Sequence, residues 1–260
     1  MLLELNSLEH FEISCWSTVS INEVYQILFE VCLSNTISSI TVKSQNIPAD
    51  VDILGLCLDY LKNLKVLTLS QCFLTSGEEI SNNLHTKTNL KKLKLEKCQI
   101  YEGHLEKLVN LFPFVEEFEM KNCNENHNLH YASESLMTHL KIISGFKNLK
   151  KFRLLHLYCQ AEHDSNPEET IKKEVENSLS FINQTFSLTE TEINVTIFGN
   201  PYFGDCQCRR CLYKHYSNNK DTVSVVSEIT KKCGTEATVK NFVPTNINTK
   251  YISGYAHSWS

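Results

Sequence analysis

Residues 64–74, LKVLTLSQCFL, and residues 90–100, LKKLKLEKCQI, lie over one another without a gap. Both read L-x-x-L-x-L-x-x-C-x-L, with isoleucine closing the second copy. Through x-L-x-L-x the leucines alternate with smaller or polar residues, which is the two-residue period of a strand with one buried face. The same frame continues in VEEFEMKNC (115–123) and ISSITVKSQNI (37–47), and more loosely in LEHFEIS (8–14) and LKKFRLLHL (149–157). The second apolar position of each copy falls at Phe11, Ile40, Leu67, Leu93, Phe118 and Phe152, in steps of 29, 27, 26, 25 and 34 residues. A generic helix or a lone strand has a local period but no recurrence near 26 residues, so the frame is an internal repeat.

Between the copies the spacing turns helical. Leu105, Leu108, Val109 and Phe112 fall on one helical face, as do Leu136, Leu140 and Ile143. Each unit therefore reads as a short strand followed by a helix. Such a unit cannot bury its apolar side alone and must stack on its neighbours. The expectation is an α/β solenoid of about six strand–helix repeats over residues 1–199. Cys72, Cys98 and Cys123 sit where the chain leaves each strand, as small polarisable core residues rather than metal ligands. Farther on, Asn166-Pro167 with two glutamates behind it starts a helix, whose stripe is Ile171, Val175, Leu179 and Ile182. EINVTIF (192–198) then reads as a last strand.

The composition fits an ordinary folded chain. Of 260 residues 42% are hydrophobic and 21% charged, and the net charge of −5 gives no general pull toward nucleic acid or anionic membrane. No apolar run approaches the length of a bilayer span, and MLLELNSLEHFEIS lacks the basic flank of a signal peptide. Eleven cysteines, odd in number and mostly set in apolar patterns, fit reduced thiols, hence a cytoplasmic or nuclear protein.

The cysteine-bearing copies resemble leucine-rich repeats of the cysteine-containing kind found in F-box/leucine-rich-repeat proteins, over roughly residues 1–200. NPYFGDCQCRRC (200–211) is similar to a segment near the C-termini of budding-yeast members of that group. The resemblance implies a horseshoe-shaped solenoid. It also implies the substrate-binding part of an SCF-type ubiquitin ligase receptor, in which an F-box ahead of the repeats holds Skp1. No F-box is evident: INEVYQILFEVCLS (21–34) has helical spacing but no Leu-Pro start, and it reads as a repeat helix. Skp1 and cullin are therefore expected only if an F-box precedes this chain. MLLEL is no polar cap, so either the natural protein is longer or a partner covers that edge.

Residues 200–216 form a cysteine-rich C-terminal cap in this reading, and 217–260 a loosely ordered tail with a short strand at VSVV (223–226). Cys206, Cys208 and Cys211 could supply three thiolates to a structural zinc, with His215 or Cys233 as the fourth ligand. A metal-free closing turn is the competing reading. Arg209 and Arg210 would also favour a reactive thiol, and a small zinc- or thiol-dependent enzyme is the corresponding third function. The sequence contains no glycine-rich phosphate loop, no G-x-S-x-G and no H-E-x-x-H. The chain is accordingly read as non-catalytic, without a cofactor beyond that structural zinc.

The residues between the strand leucines point away from the core and would line the concave face of a horseshoe. Lys92 and Lys94, Glu117 and Glu119, then Lys151 and Arg153 give that face basic, acidic and basic bands. They are the candidate partner-binding residues for a protein of alternating charge, and the acidic middle disfavours nucleic acid. Substrate recruitment and simple scaffolding are the two functions this face could serve.

Overall fold

The computed structural model describes residues 9–15, 36–44, 48–51, 54–55, 61–75, 89–100, 103–121, 123–125, 136–159, 167–186, 189–200 and 225–242. The helix expected over 21–34 and residues 201–216 of the cysteine-rich segment lie outside them. Thirteen strands are described, with three helices given by range. The strands are β1 (His10–Cys15), β2 (Ser39–Ser44), β3 (Pro48–Asp50), β4 (Val66–Ser70), β5 (Phe73–Thr75), β6 (Lys92–Glu96), β7 (Gln99–Ile100), β8 (Glu117–Lys121), β9 (Asn124–Glu125), β10 (Lys151–Cys159), β11 (Glu192–Asn200), β12 (Val225–Lys231) and β13 (Thr238–Phe242). The helices are α1 (His104–Leu111), α2 (Leu136–Ile143) and α3 (Pro167–Phe186).

Nine strands form one sheet in the order β1-β2-β4-β6-β8-β10-β11-β12-β13, and β3-β5-β7-β9 form a second. The chain falls into two compact units that divide within β10. One holds residues 1–125 and 141–153, the other 126–140 and 154–260.

In the first unit the recurrence near 26 residues becomes strand register. Ile40 pairs with Leu67, Leu67 with Leu93 and Leu93 with Phe118, all in parallel. Each strand opens in the same way. The carbonyl of Lys65 accepts bonds from the amides of Lys91 and Lys92 at 2.8 and 2.9 Å. Lys91 accepts likewise from Glu116 and Glu117, and Glu116 from Lys150 and Lys151. After β4 and β6 the chain bends at Gln71 (φ 59°) and Lys97 (φ 54°), in the left-handed region that L side chains seldom occupy. That bend turns the following cysteine inward and starts the short strands β5 and β7. Leu67, Leu69, Leu74, Leu93, Leu95, Ile100, Phe118 and Met120 are sealed from solvent, together with Leu105, Leu108 and Val109 of α1. Gly103 (φ 76°) precedes α1 in a conformation that suits glycine. Phe118 also meets Phe146 and stacks on Phe152, at ring centroid distances of 5.2 and 6.1 Å.

In the second unit β11 pairs antiparallel with β12, and β12 with β13. The 20-residue helix α3 packs on β11 and β12. It starts at the expected proline and buries Val175 and Ile182 of its expected stripe. Asn183 ties it to the β12–β13 connection by accepting the amide of Ala237 at 2.7 Å. Lys231 is 2% exposed, and its ammonium donates to the carbonyls of Thr189 at 3.0 Å and Thr191 at 3.2 Å. A buried cation survives because main-chain dipoles replace its water.

The expected architecture of a leucine-rich-repeat horseshoe is therefore corrected. The protein is mixed α/β, built on a nine-stranded, mostly parallel sheet with a second four-stranded one. The 26-residue frame placed the strands correctly but misjudged what lies between and after them. A second strand row, β3-β5-β7-β9, follows the first. The frame breaks at the 34-residue step to Phe152. Within 217–260, expected as tail with one short strand at 223–226, residues 225–231 and 238–242 are paired strands of the large sheet. The residues expected on a concave face lie on β6, β8 and β10 of the large sheet.

Candidate protein-interaction face

The alternation that sends leucines inward sends the intervening side chains to the other side of β1, β2, β4, β6 and β8. Register sorts them into rows. One row is His10, Ser39, Val66, Lys92 and Glu117, and the next is Glu12, Thr41, Thr68, Lys94 and Glu119. The third is Ser14, Lys43, Ser70, Glu96 and Lys121. Lys151 and Arg153 open β10, Lys151 half-buried and Arg153 exposed.

Four of the six candidate residues meet one another across β6 and β8. The Lys92 ammonium lies 2.6 Å from the Glu117 carboxylate, and Lys94 lies 3.5 Å from Glu119. Lys121 pairs with the other oxygen of Glu119. The expected basic and acidic bands are thus neighbouring strands whose charges are already paired. Glu119 is the most enclosed of the set, its side chain 12% exposed. Burial pushes its carboxyl up, but Lys121 and Lys94 outweigh this and hold it below the usual range.

A further set escaped the sequence reading. Glu116 sits one residue ahead of β8, with Lys91 at 2.6 Å on one side and Lys150 at 2.7 Å on the other. Hydrogen bonds from Lys150 and then Lys91 lower its carboxyl to about 2. Its signal was present in the repeat frame: Lys91, Glu116 and Lys150 each stand directly before the first outward residue of a strand. Their pairing needs the register, which a one-dimensional reading lacks.

Cys206, Cys208, Cys211 and His215 fall outside the described residues. Cys233, the alternative fourth ligand, is exposed in the turn between β12 and β13. Among the described residues no group of three or more His, Cys, Asp or Glu is placed to hold a metal ion. Nor is any helix among them long and apolar enough to cross a membrane. No family model matches this chain, and neither a curated protein nor a solved structure matches it.

Proposed function

We propose that the protein is a non-catalytic recognition module that binds another protein on the open face of β1, β2, β4, β6 and β8. The observation that carries this reading is a parallel sheet with one face left open among the described residues, where only Ser70 and Glu119 of its side chains are buried. Parallel sheets are almost always covered on both faces. Here one face is sealed by leucines, while the other leaves Glu12, Lys43, Glu96 and Lys121 exposed. The charges on β6 and β8 balance at three lysines (Lys92, Lys94, Lys121) and three glutamates (Glu96, Glu117, Glu119). A balanced face does not attract the uniform charge of a phosphate backbone. It suits a protein surface whose own charges alternate.

Pairing matters to such a surface in a second way. Side chains held by cross-strand partners lose less freedom when a ligand docks than free lysines do. Recruitment to a ubiquitin ligase has only the family resemblance behind it and adds nothing to this reading of the face.

The test is quantitative affinity capture with the wild-type chain and with a Lys92→Ala/Glu117→Ala variant. The pair is half-exposed, so its removal should cost stability no more than about 1 kcal/mol. Proteins held through the face should be depleted from the variant's eluate while its melting curve stays close to wild type. Equal recovery of every wild-type partner would contradict the proposal.

A further inference from the structure

Cys72, Cys98 and Cys123 occupy one position in three successive turns of the parallel frame. Ser70, Glu96 and Lys121, two residues earlier, stand opposite one another, and so do Phe73, Gln99 and Asn124, one residue later. Neighbouring parallel strands run about 4.8 Å apart, inside the Cα separation of about 4.4–6.8 Å that a disulfide spans. The thiols reach along the strand order: Cys72 Sγ donates to the Val42 carbonyl at 3.7 Å, and Cys98 Sγ to that of Leu69 at 3.3 Å. Cys72, Cys98, Cys123 and Cys233 are free thiols.

Solvent access separates them. Cys72 is 1% exposed and Cys98 0%. Cys123, at the end of the ladder, is only half-buried. Hydrogen bonds from the Cys123 and Cys72 thiols hold Cys98 well below the usual thiol range, against the effect of its burial. Burial pushes Cys123 up, and the neighbouring Cys98 adds to the rise.

We propose that Cys98 and Cys123 form a dithiol that a peroxide converts to a disulfide joining the ends of β6 and β8, with Cys123 as the point of attack. In the first step Cys123 releases its proton to solvent, which its raised pKa makes slow at neutral pH, and the resulting thiolate attacks one peroxide oxygen. The O–O bond breaks, hydroxide leaves and a sulfenic acid forms. In the second, the Cys98 thiolate attacks the Cys123 sulfur, the S–O bond breaks and a second hydroxide leaves. The two thiol protons end on the two hydroxides as water. Two electrons pass from the thiols to one peroxide. Cys72 takes no part, because neither it nor Cys98 is open to the oxidant.

The full chain, folded and reduced, would be treated with hydrogen peroxide, blocked with an alkylating agent in denaturant and digested without reductant. Trypsin cuts after Lys97, Lys107 and Lys121, so the three cysteines leave on separate peptides. The expected product joins the Cys98 and Cys123 peptides, with Cys72 recovered alkylated. In a Cys123→Ala variant, Cys98 should be recovered alkylated as well. The proposal is overturned if both cysteines of the wild type stay alkylated after exposure that oxidises the exposed Cys233. It is equally overturned if Cys123 is found joined to any cysteine other than Cys98, or if Cys98 oxidises without Cys123.

Discussion

Glu116 shows how much a single residue can hold together on this surface. Its carboxylate bridges Lys91 and Lys150, while its carbonyl starts β10 by accepting the amides of Lys150 and Lys151. Because its folded pKa lies near 2 against an ordinary 4.5, the group contributes stability that is fully present above the unfolded value. That contribution is lost as pH falls from about 4.5 toward about 2. Lysine 150 is the larger cause, so Lys150→Ala should move the Glu116 midpoint up toward the ordinary value. Carboxyl-detected NMR titration reads this directly. An unmoved midpoint would mean that Lys150 does not hold the carboxylate in solution. Neither this triad nor the Lys92–Glu117 pair was legible as an interaction from the sequence. The charges were visible as bands, but which lysine faces which glutamate depends on a register that no single stretch contains.

At the scale of the element, the long strands were the legible part. Leu67 and Leu69, Leu93 and Leu95, and Phe118 and Met120 alternate strictly, and all six are buried. The helices announced themselves by the same logic at helical spacing: α1 buries Leu105, Leu108 and Val109, and α2 buries Leu136, Leu140 and Ile143. The second strand row was hidden because β5 has three residues and β7 two, too short for any period to show. What starts β5 and β7 is the left-handed residue before Cys72 and before Cys98. Gln71 carries a positive φ that a β-branched side chain tolerates poorly. Gln71→Val should therefore cost about 1–2 kcal/mol, whereas Gln71→Gly should be close to neutral, since relief of strain offsets the greater freedom of the unfolded chain. Urea denaturation of the two variants checks the pair. Equal stability for valine and glycine would show that the bend is not what sets the second row.

For the whole molecule, the repeat frame carried the reading as far as β8 and then misled it. Extending the 26-residue unit over residues 1–199 implied a solenoid of about six strand–helix repeats followed by a cap and a tail. The structure instead ends its large sheet with the antiparallel strands β11, β12 and β13. The sequence showed a short strand only at VSVV (223–226); the strand runs over VVSEITK (225–231), whose buried Lys231 disguises a core-facing position. The molecule that results has one sealed and one open face on its parallel strands, and the claim that this open face recognises a protein is the centre of the account. The most direct measurement exchanges the charges of one row, Lys92→Glu with Glu117→Lys. This keeps the cross-strand pair and its contribution to folding but reverses the pattern a partner would meet. Binding of a partner captured by the wild type is then measured beside the melting curve. The account predicts a melting temperature close to wild type and an affinity lowered about tenfold or more, with the loss shrinking at high salt. A folded, exchanged protein that binds that partner as tightly as wild type would contradict it.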